Sequence, residues 1–595
     1  MVPFLATSLL TLFAKGEISA ATVQTIASSA RKDGWKPNDR LAHQLANAGS
    51  GGANTGHINR DVIRAARKAG LMSSGAQPYR MDLPDGTFLD IFLPHEAYYH
   101  MVQEHGLEAF CLTEAQLQEP LGLKGVIEKW AKHRDVNISD GDVPQLAAIG
   151  LHCDGVPYTN SVRPGGSKSV FVCSMNVVSA ADDKTRANRQ PLFNIQKARV
   201  CGCSCGGYHT LDLIFEVLVW SFECLAVGTT PSRRHDGTEF TASDKKNRLA
   251  AGLSIPRAGL MQVRGDWEFD EAAFQFRSVN SNEFCWKCDA TKERGDRYAY
   301  DFGPAAGHRA TAITHERYLA SCLQHGSTPS ALFRAPGFDI EYIVVDPMHD
   351  GDLGVFADAV GSLLWIEVQH KQWHRSARKG VKALNVMLEK YHQAGDKKRP
   401  KLALTLSQIK AKRDPPYPCL KAKAAETRYL AEFADTLAHL HSGHLGRAKF
   451  KFHRNHPLAG KEEVHLKYLL QMTGGMMDYH ASCAASPFSP ADCRTAMYSF
   501  LHAFKALHEL WRPRMMTQKQ KARAPFHLRP KAHMMTHLVD RQLDLFGSPN
   551  RCWCYRDEDF VGAVKTIAAR SSHPSTLECR VCEKLMLLGG LHARV

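Results

Sequence analysis

Apolar positions change period several times along this chain, and each change marks a change of structure. Up to about residue 75 they recur at helical spacing, through VPFLATSLLTLFA and KGEISAATVQTIASSARKDG, and resume in INRDVIRAARKAG after the turn-rich ANAGSGGANTG. YRMDLPDGTFLDIFL then reads as two short β runs joined by Pro-Asp-Gly, a hairpin. A charged helical segment follows to about residue 140. Beyond it, QLAAIGLHCDGV, SVFVCSMNVV and QPLFNIQKARV are apolar β-rich runs separated by turn residues. Cys201 to Gly207 is a loop, and HTLDLIFEVLVWSFECLAVG, from His209, is a strongly apolar helix. LSIPRAGLMQVRGDWEF gives a strand ending near Asp266, DEAAFQF begins a short helix, and GFDIEYIVVDPMHDGDLGV supplies a fifth strand.

Apolar strands alternating with helices imply a mixed β-sheet covered on both faces. After Leu353 the periodicity is helical for about 170 residues, as in WHRSARKGVKALNVMLEKYHQ and LKAKAAETRYLAEFADTLAHLHSG. A turn at Gly547-Ser548-Pro549-Asn550 precedes a last helix with Asp557, Glu558 and Asp559 in its first turn, where the helix dipole favours carboxylates. The expected organisation is a mainly helical region with a hairpin (1–140) and the first part of an α/β core (141–355). A helical insertion (356–526) and a segment that completes the core (527–595) follow.

With 44% hydrophobic and 23% charged residues, the chain is composed like a globular protein, which excludes wholesale disorder and collagen-like repetition. No run reaches the ~18 apolar residues of a membrane helix. VPFLATSLLTLFA has the look of a secretory core segment, but no basic residue precedes it and helical spacing continues past it, so it reads as an amphipathic helix. The net charge of +15 points to a polyanionic partner. Between Lys371 and Lys423 stand 15 Lys or Arg against three acidic residues, broken by Pro400, Pro415, Pro416 and Pro418, as in a phosphate-facing surface. The 17 cysteines are clustered, which suits thiolate ligation in a reducing compartment.

Asp154, in LHCDGVPY, ends the first core strand, and Asp266, in VRGDWEF, ends the fourth. On neighbouring parallel strands their tips would lie about 5 Å apart, where two carboxylates repel unless a divalent cation sits between them. Mg²⁺ takes such oxygen sites and keeps substrate phosphate as a further ligand. A second ion needs a third carboxylate, for which Glu558 is a source. Cys285-Trp-Lys-Cys288 offers two ligands of a zinc site. The other two could be local, His308 and His315, or remote: His533 and His537 share one helix face. The remote pair would pin the far end of the insertion to the sheet and bring Glu558 home. Cys201, Cys203 and Cys205 form a second thiol cluster, although three thiols on so tight a loop rarely close a tetrahedron alone. Asp346 and His349, in DPMH, end the fifth expected strand.

Taken together these residues resemble the RNase H-like DDE transposases, and most of all the CACTA (En/Spm) type and its Mirage and Chapaev relatives. The resemblance rests on CDGVPY, RGDWEF, CWKC, DPMHDGDLGV, RPKAHMMTH and WCYRDEDF, in that order, over residues 145 to 585. Departures are Asp-Gly-Val-Pro-Tyr in place of Asp-Gly-Phe-Asn-Pro, and acidic neighbours around Glu558. Glu426, in KAAETRYL, matches another family position and is the reserve for the third carboxylate.

The resemblance implies an RNase H-like core interrupted by the insertion, with Asp154, Asp266 and Glu558 holding two Mg²⁺ or Mn²⁺ ions for DNA cleavage and strand transfer. A similar spacing in the V(D)J recombinase catalytic subunit implies structural Zn²⁺ on Cys285, Cys288, His533 and His537. Asp346 and His349 would be auxiliary. Double-stranded DNA, both element ends and target, would be the partner of a homo-oligomer acting in the nucleus. The alternatives are a domesticated DNA- or chromatin-binding descendant, or a nuclease without strand transfer.

Overall fold

The computed structural model describes residues 4–33, 40–50, 56–73, 75–119, 122–159, 168–180, 188–370, 376–394, 403–410, 416–443, 449–454, 456–512, 523–571 and 576–592. Strands β1 (Tyr79–Asp82) and β2 (Phe88–Ile91) form the expected hairpin, with Tyr79 opposite Ile91. Gly86 closes its turn at φ +76°, a left-handed conformation in which a side chain would be strained.

The main sheet contains β3 (Ala147–Pro157), β4 (Ser169–Val177), β5 (Arg189–Gln196) and β6 (Ala258–Gly265), in the order β5-β4-β3-β6. β3 runs antiparallel to β4 and parallel to β6, and β4 and β5 are antiparallel. The sheet is mixed and its strands are almost wholly buried, which is why their sequences read as continuous apolar runs. The helix Tyr208–Val227 packs on β6. The helix Tyr555–Ala569 lies over β3 and β4, where Val561, Val564 and Ile567 meet Val156, Val170 and Val172. By strand alternation, the face under Tyr555–Ala569 also carries His152, Asp154 and, in register on β6, Arg264.

The expected fifth strand is a correction. Within GFDIEYIVVDPMH only Ile343 pairs with the sheet, through a single parallel bridge to Val263, and Val344 N–H donates to Val263 O at 3.0 Å. Asp339 caps a 3₁₀ turn (Ile340–Tyr342) on one side, and Asp346 with Pro347 starts a π-helix (Pro347–Val355) on the other. Those local caps leave no length for a ladder. The side-chain amide of Gln542 takes the place of a further strand: it accepts from Val345 N–H at 2.8 Å and donates to Val345 O at 2.9 Å. The helix expected to begin at Asp270 begins earlier, at Trp267, because Asp266 caps it.

The region after Val355 is helical: Phe356–Gln369, Ala377–Gln393, Leu406–Ile409, Ala424–Ser442, Glu462–Ala484 and Pro490–Trp511. Glu462–Ala484 and Pro490–Trp511 pack closely at Gly475, where an added Cβ would come within 2.7 Å of Phe500 N. Helix Ala377–Gln393 buries Val381, Leu384 and Leu388 and exposes Arg378, Lys379, Lys382 and Lys390. Lys371, Arg375, Lys397, Lys398, Arg399, Lys401, Lys412, Arg413, Pro400 and Pro415 of the basic segment lie outside the described residues, as do residues 51–55 of the turn-rich N-terminal stretch.

The N-terminal helices Phe4–Ala14, Ala20–Lys32, Arg40–Ala46 and Gly56–Lys68 build a separate small core from Leu9, Leu10, Phe13, Leu45, Val62 and Ile63. Leu587 and Leu591 of the last helix, Leu577–His592, complete it. Among the described residues no helix is long and apolar enough to cross a membrane.

Candidate functional site

The ladder between β3 and β6 ends with Cys153 opposite Gly265, so the next residue of each chain segment is a candidate carboxylate, Asp154 and Asp266. Asp266 follows the end of β6, but Asp154 does not end its strand as expected, because β3 stays paired with β4 as far as Pro157. Each has one oxygen fixed by a nearby amide. Asp154 Oδ1 accepts from Gly155 N–H at 2.7 Å, and Asp266 Oδ1 accepts from Phe269 N–H at 2.8 Å as the N-cap of Trp267–Phe274. Burial, and then the charge of Asp266, raise the Asp154 carboxyl above its ordinary range against the pull of His349.

Glu558 enters from the first turn of Tyr555–Ala569. Its Oε1 is buried without a hydrogen bond and lies 4.0 Å from His152 Nε2. Burial and the Asp154 charge push its carboxyl up to about 7. Asp154 thus feels the charge of Asp266, and Glu558 feels the charge of Asp154. The donor set is hard oxygen, partly buried and like-charged, and it includes an orphaned oxygen. Such a set fits a divalent cation of the Mg²⁺ class.

Two buried aspartates hold this arrangement in place. Asp557, one residue before Glu558, accepts from Arg189 Nε at 2.8 Å and from Arg264 Nη2 at 3.3 Å, tying the helix to β5 and β6. Burial works against its charge, but Arg264, His152 and Arg189 hold its carboxyl below the usual range. Asp346 accepts from Met348 N–H at 2.9 Å, His349 N–H at 3.2 Å, Cys554 N–H at 3.2 Å and the His349 ring at 2.5 Å. Cys554 is the N-cap of Tyr555–Ala569, so Asp346 fixes where that helix begins. Burial would lower the His349 ring, but the Asp346 carboxylate outweighs it and lifts the imidazole to about 9, a cation at neutral pH. Asp346 and His349 are therefore joined to the site. Glu426 is engaged elsewhere: its Oε2 accepts from Lys423 N–H at 2.9 Å in a capping box.

Sequence reasoning missed three groups here. His152 stands two residues before Asp154 on the same strand face, and neither buried ring nitrogen has a hydrogen bond. Burial drives it down to about 4, so it is neutral. Period-two alternation would have found it. Asp270, a helical turn after Asp266, is raised well above the carboxylate range by burial and by Asp266, and i,i+4 spacing would have found it. Asp557 carried no signal, because its two arginine partners are 368 and 293 residues away.

A second constellation lies beside the first. Cys285 Sγ is 3.3 Å from His537 Nε2, Cys288 Sγ is 3.3 Å from His533 Nε2, and the two Nε2 atoms are 3.1 Å apart. All four candidate ligand atoms lie within 4.8 Å of one another. Ala299 O accepts from His533 Nδ1–H at 3.0 Å, which leaves Nε2 to face the thiols, as in ligating histidines. Burial, then His533, holds His537 well below its usual value, in the neutral form a metal needs. Of the local alternatives, His308 packs edge-on against His533 at 4.8 Å and bonds Asp301 O, while His315 lies against Phe333. The structure brings the remote pair to the cysteines.

Cys201, Cys203 and Cys205 form the other cluster, and the structure adds the group that sequence reading lacked. His209, from the first turn of Tyr208–Val227, joins them, with all four ligand atoms again within 4.8 Å. The C-x-C-x-C-x₃-H spacing was the available signal. Both Cys/His sets could hold a metal ion such as zinc. No protein-family model matches the chain, and no curated protein matches it.

Proposed function

We propose that this protein is a metal-dependent DNA phosphodiester-transfer enzyme, an RNase H-like DDE transposase or a descendant of one. The observation that supports the reading is that Asp154 and Asp266 directly follow the last paired residues of parallel β3 and β6, while the unsatisfied buried oxygen of Glu558 lies 4.0 Å from His152, two residues before Asp154. Sheet order β5-β4-β3-β6, with Ile343 bridged beyond β6, supports an RNase H-like topology.

Asp154, Asp266 and Glu558 would hold two Mg²⁺ or Mn²⁺ ions. Bound there, such ions supply a nucleophile at neutral pH, from water or a 3′ hydroxyl, and charge stabilisation for an in-line displacement at phosphorus. The chain's own groups do the rest. The His349 imidazolium, neutralised by Asp346 and felt by Asp154 and Glu558, would donate its other ring nitrogen to a phosphate oxygen. Lys197, next to Gly155, stands at the same edge. The Arg378, Lys379, Lys382 and Lys390 face offers sequence-independent binding to the DNA backbone. Zinc on Cys285, Cys288, His533 and His537 would pin the segment leading to Glu558 onto the knuckle that follows Asp266. The reading extends to a homo-oligomer that pairs two DNA ends in the nucleus.

The test uses the full chain with Mg²⁺ or Mn²⁺ and DNA carrying intact or pre-nicked ends. Joining of a 3′ end to target DNA, abolished in Asp154→Asn, Asp266→Asn and Glu558→Gln, is the expected result. Cleavage without joining would make the protein a nuclease. DNA binding with neither would leave a binding protein and defeat the enzymatic reading.

A further inference from the structure

We propose that Cys201, Cys203, Cys205 and His209 form a second zinc site, a solvent-facing Cys₃His centre that braces the loop leaving the sheet at the Asp154 end. This site is independent of the Cys285/Cys288 set and of the catalytic reading.

In extended backbone, alternate cysteines share a side but stand about 6.6 Å apart. Here Cys201 Sγ and Cys203 Sγ are 3.0 Å apart, and His209 Nδ1 is 3.2 Å from Cys203 Sγ and 3.7 Å from Cys201 Sγ. Beyond Cys203 the chain winds through left-handed residues, Ser204 at φ +71°, Gly206 at +64° and Gly207 at +102°, which turn Cys205 and His209 back toward the first two thiols. At Ser204, which has a Cβ, that conformation is uncommon. Packing does not explain the thiols. Cys203 is exposed and Cys201 and Cys205 are half-buried, unlike Cys153 and Cys173, which fill the core. Three sulfurs and one imidazole, with no carboxylate in the set, select a borderline-soft ion of tetrahedral habit, which is Zn²⁺ rather than Mg²⁺ or Ca²⁺.

The place gives the site its consequence. β5 ends at Gln196, level with Val170 and hence with Val156, so the loop leaves the sheet at the Asp154 edge. Lys197 ion-pairs with Glu268 of Trp267–Phe274, and Gly206 comes back against Ala272 of that helix. A metal would close this loop between those two anchor points and hold Lys197 at the Asp154 end of the sheet.

The test is the metal content of the full chain purified under reducing conditions. Two Zn²⁺ per chain are expected. Cys203→Ser with Cys205→Ser should lose one, and Cys285→Ser with Cys288→Ser the other. Replacement by Co²⁺ should give sulfur-to-metal absorption from five thiolates in the wild type and from two in the Cys203→Ser/Cys205→Ser protein. His209→Ala is an exposed change; with the circular dichroism of the wild type, it should release one Zn²⁺ to a chelator at least tenfold faster. A metal content unchanged by Cys203→Ser/Cys205→Ser and by His209→Ala would overturn the proposal, as would a Cys201–Cys203 disulfide in the reduced preparation. None of these readouts depends on DNA cleavage.

Discussion

Asp557 and Glu558 are neighbours on one helical turn and meet opposite surroundings. Asp557 faces Arg189 and Arg264 in the interior, so Asp557→Ala leaves two buried guanidiniums without their acid. A loss of about 3–5 kcal/mol is expected, read by denaturant unfolding. Glu558 faces other acids, so Glu558→Gln should leave unfolding in metal-free buffer unchanged or improved, and, on the proposed function, should remove the stabilisation expected from added Mg²⁺ in the wild type. The pH dependence follows from the same contrast. The Glu558 carboxyl sits at about 7 folded against an ordinary 4.5, so its proton is bound more tightly in the folded state. That contribution is complete below the unfolded value and is lost as pH rises through the folded one. Without divalent ions, the wild type should therefore lose melting temperature between about pH 5 and 7.5 more steeply than Glu558→Gln, as thermal scans across that range will show.

Among the elements, the edge of the sheet beyond β6 is the most dependent on a single side chain. Gln542 satisfies both backbone groups of Val345, one residue before Asp346. Gln542→Ala should cost about 1–3 kcal/mol for the polar groups left buried and, on the proposed function, should slow the proposed cleavage by displacing Asp346 from Cys554. Gln542→Glu, which keeps an acceptor for Val345 N–H only, should fall between, by the same unfolding and cleavage assays. This edge also shows where sequence reading stops. The hairpin around Pro-Asp-Gly, the apolar strands β3 to β6 and the end of β6 at Asp266 were legible because their signals are local, alternation and turn residues; the glycine after Asp154 misled, because β3 pairs with β4 as far as Pro157. Cys285 with Cys288 and His533 with His537 were legible as pairs, since each pair has ligand spacing of its own. The fifth strand misled because its β-forming run, IEYIVV, is flanked by Asp339 and Asp346, whose side chains cap turns. Gln542 and Asp557 gave no sign, since their roles exist only once residues hundreds apart have met.

For the whole molecule, charge and metal are the levers. On the proposed function, affinity for duplex DNA should fall steeply with salt. When Lys379, Lys382 and Lys390 are changed to Gln, the slope of log K against log salt should flatten by about 0.9 for each phosphate that the protein no longer neutralises. Removing the buried metal set by Cys285→Ser should loosen the junction between knuckle and Pro530–His537, seen as new protease cuts near residues 530–550. The packing of Phe4–Ala14 against Leu577–His592 has a further consequence, for synthesis. Leu10 and Phe13 pack early with Leu45, Val62 and Ile63, but Leu587 and Leu591, which finish that core, are made more than 500 residues later. That small core can pack within itself early but stays open on one side until the helix Leu577–His592 arrives to cover it.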